Sequence, residues 1–238
     1  MLHGVGLRAE AWNAQIDALS ARFAVIAPDM PGHGESPIWA SAGGRALSNY
    51  VDVIADGLET PVWLAGHSMG ALIALSLSIR HPRLVRGVAA LNAIHRRPSE
   101  AAAAVRARAA ALDGVSPADP TATLARWFGG SAPEAALEAE ACRAWLRAAD
   151  PAGYKAAYSV FAREDGPAEA DLRRLAAPAL FLTGDAEPNA TPAMARAMAA
   201  LAPKGAAHIV EGAAHMAPMT HAAEVSHALI TFFEEADA

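Results

Sequence analysis

The segment Gly66-His67-Ser68-Met69-Gly70 places a serine between two glycines, and it decides the fold expected for this chain. The apolar run before it, residues 61–65, is typical of a buried strand, and residues 71–79 are typical of a buried helix. A Gly-x-Ser-x-Gly turn between a strand and a helix is so sharp that side chains at the glycine positions would clash. The turn therefore predicts a serine with strained backbone angles, whose hydroxyl is exposed at the end of the strand.

Outward from this turn, strand patterns alternate with helix patterns. This alternation is typical of the α/β class, in which a mostly parallel, doubly wound sheet carries helices on both faces. The predicted strands are residues 23–27, 61–65, 85–91, 179–182 and 208–210, and the predicted helices are 11–22, 48–58, 71–79, 192–202 and 220–235.

The alternation stops between residues 95 and 177. This stretch contains no convincing strand, is rich in Ala, Arg and Glu, and is divided by Pro and Gly turn signals. It predicts three or four helices inserted late in the sheet as a mobile cap, or lid. The domains expected are therefore a core, residues 1–94 and 178–238, and a helical cap, residues 95–177.

Composition excludes several classes of function. The 238 residues carry a formal charge of −6 and no basic cluster, which argues against nucleic acid and anionic membrane surfaces as partners. The longest apolar stretch is too short to span a bilayer, and no signal peptide is visible. The single cysteine, Cys142, cannot form an internal disulfide, which favours a cytoplasmic protein. The nine histidines show no metal-binding spacing, so neither metal nor cofactor is expected, and a homo-oligomer is left open.

A serine hydroxyl becomes nucleophilic when a histidine, oriented by a carboxylate, accepts its proton. In this architecture the expected chain order is nucleophile, acid, base. His215 follows the last predicted strand and is the candidate base. Asp185 and Glu187 share the loop after the preceding strand, and only one of them can orient His215.

The oxyanion of a tetrahedral intermediate needs hydrogen-bond donors. The N–H of Met69 is one candidate because it follows the nucleophile. The other is the N–H of Val5, in the glycine-rich turn His3-Gly4-Val5-Gly6.

Together with residues 27–36, these segments resemble the α/β-hydrolase superfamily from Leu2 to about Phe233. The compact size and short cap are similar to the group of 3-oxoadipate enol-lactonases and biotin-synthesis carboxylesterases. The resemblance implies a triad of Ser68, His215 and an acid. In such relatives an aspartate usually lies three residues after the loop glycine, where this chain has Glu187. Glu187 is therefore the preferred acid and Asp185 the alternative.

The start of the chain departs from this pattern. Relatives carry roughly two strands and most of a third before the His-Gly turn, whereas this chain has only Met1 and Leu2 there. The strand that feeds the turn would lie between residues 23–27 and the strand before Ser68. We therefore expect that N-terminal strands are missing, that the natural chain starts upstream, and that the 238-residue chain is poorly stable.

The pocket candidates are His95, at the base of the cap, Trp127 and Trp145 in the cap, and Met216 beside the base. Val5, Met69 and Met216 flank catalytic groups and favour an apolar acyl chain.

These features predict a cofactor-independent serine hydrolase that cleaves a small-molecule carboxylic ester, lactone or thioester through an acyl-enzyme on Ser68. The same triad could instead serve C–C bond hydrolysis, acyl transfer or perhydrolysis. A ligand-binding protein on a hydrolase fold, with little turnover, is the further alternative.

Overall fold

The computed structural model describes residues 1–38, 46–129 and 137–236. The strands in these ranges are β1 Val62–His67, β2 Val85–Leu91, β3 Ala179–Gly184 and β4 Gly205–Val210. The helices are α1 Asn13–Leu19, α2 Leu47–Asp56, α3 Met69–Arg80, α4 Ser99–Ala111, α5 Thr121–Trp127, α6 Leu137–Ala148, α7 Pro151–Arg163, α8 Glu169–Leu172, α9 Pro192–Leu201, α10 Ala217–Thr220 and α11 Ala222–Glu235. Two 3₁₀ turns, Ala9–Trp12 and Pro82–Leu84, precede α1 and β2.

The four strands form one parallel sheet in the order β1-β2-β3-β4. The register pairs Ala65 with Ala89, Ala89 with Leu180, and Leu180 with Ala206. Parallel neighbours need long crossover connections, and helices supply them here. The α/β class with a mostly parallel sheet is confirmed.

Both faces of the sheet are buried, as the alternation along β2 shows. Val88 and Ala90 pack into the hydrophobic cluster that contains the buried side of α3. Ala89 and Leu91 point the other way, into the cluster that contains Leu229 of α11. Successive side chains of a strand point to opposite faces, so a sheet covered on both sides requires nearly continuous apolar strands.

The predicted strand at residues 23–27 is wrong. The structure assigns no strand there. Near the edge of the sheet, the Met1 amino group donates a hydrogen bond of 2.5 Å to the Ile26 carbonyl of this segment. Leu2 alone occupies the neighbouring position in the sheet, where it bridges Gly66 and bonds to Ala65 and His67. A strand needs a neighbour to pair with along its length. A cavity of about 520 Å³ instead separates residues 23–28 from β1.

Among the described residues between β2 and β3 there are five helices, α4 to α8, where three or four were predicted. Residues 95–129 and 137–177, the described part of the predicted cap, contain no strand. α4 packs against α7, which places Val105 and Ala109 beside Ala162. None of the helices described in the structure is long and apolar enough to cross a membrane.

The two glycines of the serine turn are required by close backbone contacts. A Cβ atom on Gly66 would lie 2.2 Å from the Gly70 carbonyl oxygen, and a Cβ on Gly70 would lie 2.1 Å from the Leu2 carbonyl oxygen. Gly70 therefore lets α3 begin directly against the N-terminal segment, which in turn bridges β1.

We expect Gly70→Ala to destabilise the protein by about 1–3 kcal/mol, because the new methyl group meets backbone that cannot move aside. For a chain of this size that loss lowers the melting temperature by several degrees. Gly57→Ala is the matched control, since its Cβ would be no closer than 3.6 Å to any neighbour. Thermal unfolding of both variants tests the contact, and equal melting temperatures would contradict it.

Candidate active site

Ser68 lies between the end of β1 and the start of α3, with φ 57° and ψ −117°. A non-glycine residue with positive φ is strained and persists only where surrounding contacts enforce it. Its N–H donates to the Leu91 carbonyl at 2.9 Å, which fixes the turn against β2. The His3–Gly6 turn lies directly beside it, because a Cβ on Gly4 would be 3.0 Å from the Ser68 Cβ.

His215 and Glu187 meet at the same edge of the sheet. His215 follows β4 and Glu187 follows β3, so both lie beyond the carboxyl ends of neighbouring strands. The His215 Nδ1 and the Glu187 Oε2 are 2.5 Å apart, and both residues are buried. Since a carboxylate only accepts, Nδ1 carries the proton, which leaves Nε2 as the basic nitrogen.

The Glu187 carboxylate is held by several donors besides His215. Asn92 donates to Oε2 at 3.0 Å, and the backbone N–H groups of Asn189 and Ala190 donate to Oε1 at 2.7 and 3.3 Å. Burial works to raise the pKa of Glu187, but the charge of His215 and these hydrogen bonds outweigh it and lower the pKa to about 2. Glu187 is therefore ionised at neutral pH.

The alternative acid, Asp185, makes a different contact. Its Oδ1 accepts a hydrogen bond of 2.7 Å from the Gly212 N–H, and its own N–H donates to the Val210 carbonyl at 3.1 Å. Asp185 thus ties the loop after β3 to the loop after β4. The structure places Glu187, rather than Asp185, in contact with the histidine.

His67 contacts the candidate base, His215, through its backbone. Its Nε2 donates to the His215 carbonyl at 2.7 Å, and the two imidazole centroids are 4.8 Å apart. Burial, and then the proximity of His215, lower the pKa of His67 to about 3, so this ring is neutral. A neutral ring at this position places no positive charge beside the His215 imidazole.

Ser68 and His215 line a common cavity of about 60 Å³, and residues of α4, α5 and α7 also line it. Trp127 stacks on the His215 ring, with centroids 5.9 Å apart and an interplanar angle of 29°. Val5 also lines this cavity. The other lining residues are Asn92, Ile94, Arg97, Val105, Arg108, Thr123, Arg126, Tyr154, Tyr158, Phe161, Asn189 and Ala190.

Three of the four predicted pocket residues lie outside this cavity. His95 is buried next to the Pro167 backbone. Trp145 lines a separate groove over the N-terminal loop, because α6 packs there and not above Ser68. Met216 is buried in the core, where its N–H donates to the Trp127 carbonyl at 3.3 Å. Trp127 is the one of the four that lines the cavity that Ser68 also lines.

Sequence reasoning missed Asn92. This residue follows β2 directly, with φ 52°, and it joins Glu187 to Thr183, whose Oγ1 accepts from Asn92 at 3.3 Å. The available signal was its position, since Ser68, Glu187 and His215 follow the other three strands at the same edge. Within the described ranges, no group of three or more His, Cys, Asp or Glu side chains could hold a metal ion.

Residues 1–228 match the family model of the alpha/beta hydrolase family. The (E)-2-((N-methylformamido)methylene)succinate hydrolase of Acinetobacter baylyi is 39% identical over 238 residues, covering 98% of this chain and 89% of that protein. A pimeloyl-[acyl-carrier protein] methyl ester esterase of Yersinia enterocolitica is 36% identical over 89 residues, which is 37% of this chain and 33% of the esterase.

Solved structures agree with these sequence matches. A malate-bound thermophilic esterase from Thermogutta terrifontis superposes with a TM-score of 0.86 at 25% identity, over 100% of this chain and 89% of that one. The enol-lactonase from Burkholderia xenovorans gives 0.84 at 26% identity, over 98% and 89%. Both similarities extend over all or nearly all of this chain.

The two acids can be told apart by removing one charge at a time. In Glu187→Gln the imidazolium of His215 loses its ionic partner, so kcat for p-nitrophenyl acetate should fall by about 10²- to 10⁴-fold. Asp185→Asn keeps an oxygen that can accept from Gly212, so its kcat should change little. The reverse ranking would assign the orienting role to Asp185.

His67 should make the fold sensitive to acid. The unfolded chain binds a proton here as pH falls below 6.5, whereas the folded chain does so only near pH 3. The free energy of unfolding therefore declines as pH falls through this window, with a slope approaching about 1.4 kcal/mol per pH unit. His67→Gln keeps a donor near the His215 carbonyl but cannot titrate. Chemical denaturation from about pH 7 to about pH 4 should give this variant a shallower decline, and parallel curves would contradict the assignment.

Proposed function

Because the chain belongs to the alpha/beta hydrolase family, we propose that it is a cofactor-independent serine hydrolase that cleaves small-molecule carboxylic esters, lactones or thioesters. The proposal rests above all on the 2.5 Å contact between His215 and Glu187, at a cavity that the strained Ser68 also lines. The proposed nucleophile Ser68, acid Glu187 and base His215 follow β1, β3 and β4 and lie beyond the carboxyl ends of these strands, at one edge of the sheet.

In the proposed first step, the Ser68 Oγ attacks the substrate carbonyl carbon while the His215 Nε2 accepts the hydroxyl proton. The ionised Glu187 holds Nδ1–H and stabilises the imidazolium that forms. The tetrahedral oxyanion accepts hydrogen bonds from the N–H groups of Val5 and Met69. Met69 is the first residue of α3, so its N–H has no acceptor within the helix and adds to the positive end of the helix dipole.

In the second step, the proton on His215 Nε2 passes to the leaving oxygen or sulfur, and the carbonyl–leaving-group bond breaks. The acyl group remains on Ser68. A water molecule then loses a proton to the same nitrogen, attacks the acyl carbon and releases the acid, which restores the Ser68 hydroxyl.

A second candidate reaction comes from the Acinetobacter relative, whose name specifies hydrolysis of a succinate bearing an N-methylformamido-methylene group. Transferred to this chain, the same machinery would attack a formamide carbonyl and expel nitrogen. C–C bond hydrolysis, acyl transfer and perhydrolysis would also use this triad, and substrate profiling distinguishes them. The proposed set of nucleophile, base, acid and oxyanion donors argues against a ligand-binding protein with little turnover.

The nucleophile can be tested with a small fluorophosphonate and mass spectrometry. We expect a single adduct, on Ser68, and complete loss of both the adduct and esterase activity in Ser68→Ala, since removing a triad member costs several orders of magnitude in kcat. Ser76→Ala, on the same helix and without a neighbouring base, is the control and should retain both. Substantial turnover by Ser68→Ala would disprove the mechanism.

A further inference from the structure

Among the residues that the structure describes, three arginines and no carboxylate line the cavity above Ser68. Arg97 precedes α4, Arg108 lies on α4 and Arg126 lies on α5, and all three side chains border the space that Ser68 and His215 share. The chain as a whole carries a net charge of −6. A positively lined cavity in an acidic protein favours an anionic ligand at this position, because field lines concentrate in clefts of one sign.

Neutral groups orient two of these guanidinium groups. The Arg108 Nε donates to the Tyr158 hydroxyl oxygen at 3.1 Å, and the Arg126 Nη2 donates to the Thr123 Oγ1 at 3.1 Å. Within the described residues, neither arginine forms an ion pair. Burial lowers the pKa of Arg126, and the neighbouring charge of Arg108 lowers it further. The charges of Arg108 and Arg126 therefore repel each other. An anion bound between or beside the two side chains would relieve this repulsion.

Arg97 supplies an independent observation. Its side chain is 2% exposed, and its guanidinium is fixed by the Phe161 and Glu164 carbonyls, by Asp165 at 3.5 Å and by the Phe161 ring. Its Nη1 is nevertheless buried with no hydrogen-bond partner among the described residues. A buried donor left unpaired costs free energy, and one on a charged group costs more. An anion that entered the cavity beside Arg97 would offer this atom an acceptor.

We propose that Arg97, Arg108 and Arg126 form an anion site that selects substrates carrying two free carboxylates in addition to the scissile carbonyl. This inference rests on the proposed function of Ser68. Asp165 partly balances Arg97, which leaves the charges of Arg108 and Arg126 for the two carboxylates. Arginine suits this task because its planar fork binds a carboxylate through two parallel hydrogen bonds. Tyr158, whose oxygen accepts from Arg108, is free to donate its O–H to the same anion.

The site also limits the length of the substrate. The present cavity of about 60 Å³ corresponds to roughly the bulk volume of two water molecules. A ligand with two carboxylates is larger, so α4, α5 or their side chains must shift when it binds. Among diacids, a short chain requires the smallest movement of α4, α5 or their side chains. A long apolar acyl chain would give the arginines no hydrogen-bond acceptor. This differs from the apolar acyl chain expected from Val5, Met69 and Met216.

Calorimetry on the full chain tests the anion site without relying on turnover. Succinate is the probe, butyrate has one carboxylate on the same four-carbon chain, and succinamide has none. We expect succinate to bind at least about tenfold more tightly than butyrate and succinamide not to bind, since each charged hydrogen bond contributes about a factor of ten or more. Equal affinities for succinate and butyrate would overturn the proposal.

Matched arginine variants locate the site. Arg108→Gln and Arg126→Gln should each weaken succinate binding about 10- to 100-fold. Arg106→Gln removes the same charge from the same helix, but Arg106 is exposed and does not border the cavity, so it should bind succinate normally. If Arg106→Gln lost a comparable amount of succinate affinity, the loss would reflect the change in net charge, and the proposed site would be disproved.

The two readouts separate this inference from the proposed function. Labelled Ser68 with no preference for succinate would contradict the anion site and leave the hydrolase intact. Tight succinate binding without any adduct on Ser68 would contradict the serine mechanism. Succinate should also slow labelling of Ser68 in the unmodified chain, because the arginines and the serine line one cavity, and unchanged labelling kinetics would place succinate elsewhere.

Discussion

The close approach of backbone segments around Ser68 is the constraint on which the rest of the structure depends. Gly66 and Gly70 have no side chains, so β1 can end, turn and continue as α3 within one residue. The strain at Ser68 is offset by the hydrogen bonds that Leu2, Ala65 and His67 exchange and by the burial of α3 between the sheet and α2. Because the strained residue is fixed by its surroundings, its hydroxyl keeps one direction with respect to the neighbouring loops.

Near Ser68, the buried negative charge of Glu187 is stabilised by hydrogen-bond donors on several segments. Glu187 would be costly to bury as an anion, and donors from Asn92, Asn189, Ala190 and His215 offset that cost. His67 stays neutral and uses its one proton to fix the His215 backbone. In the proposed mechanism, the only positive charge to form beside Glu187 is the imidazolium of His215, which is the charge that the carboxylate is placed to stabilise.

The segment before α4 and helices α4 and α5 place three arginines at the cavity, in a protein whose net charge is −6. Arg97, Arg108 and Arg126 come from different segments of the cap, and only the packing of α4 and α5 over the serine assembles them. The core thus provides the proposed bond-breaking groups at the carboxyl ends of its strands, and the cap provides the surface that would choose the substrate. This division lets one catalytic core serve many substrates through changes in the cap.

The sequence alone determined what depends on local chemistry. The paired glycines at Ser68 predicted the turn, the apolar runs predicted all four strands of the sheet, and chain order predicted that His215 and one carboxylate would meet at its edge. It failed at residues 23–27, because an apolar run is a strand only when a neighbour pairs with it, and that neighbour is a property of the whole sheet. Tertiary structure alone decided that Glu187 contacts His215 while Asp185 joins two loops, and that Trp127 reaches the site while Trp145 and His95 do not. It also decided that the cap arginines share one cavity with Ser68. These outcomes depend on distances between segments far apart in the chain, which no local pattern of residues encodes.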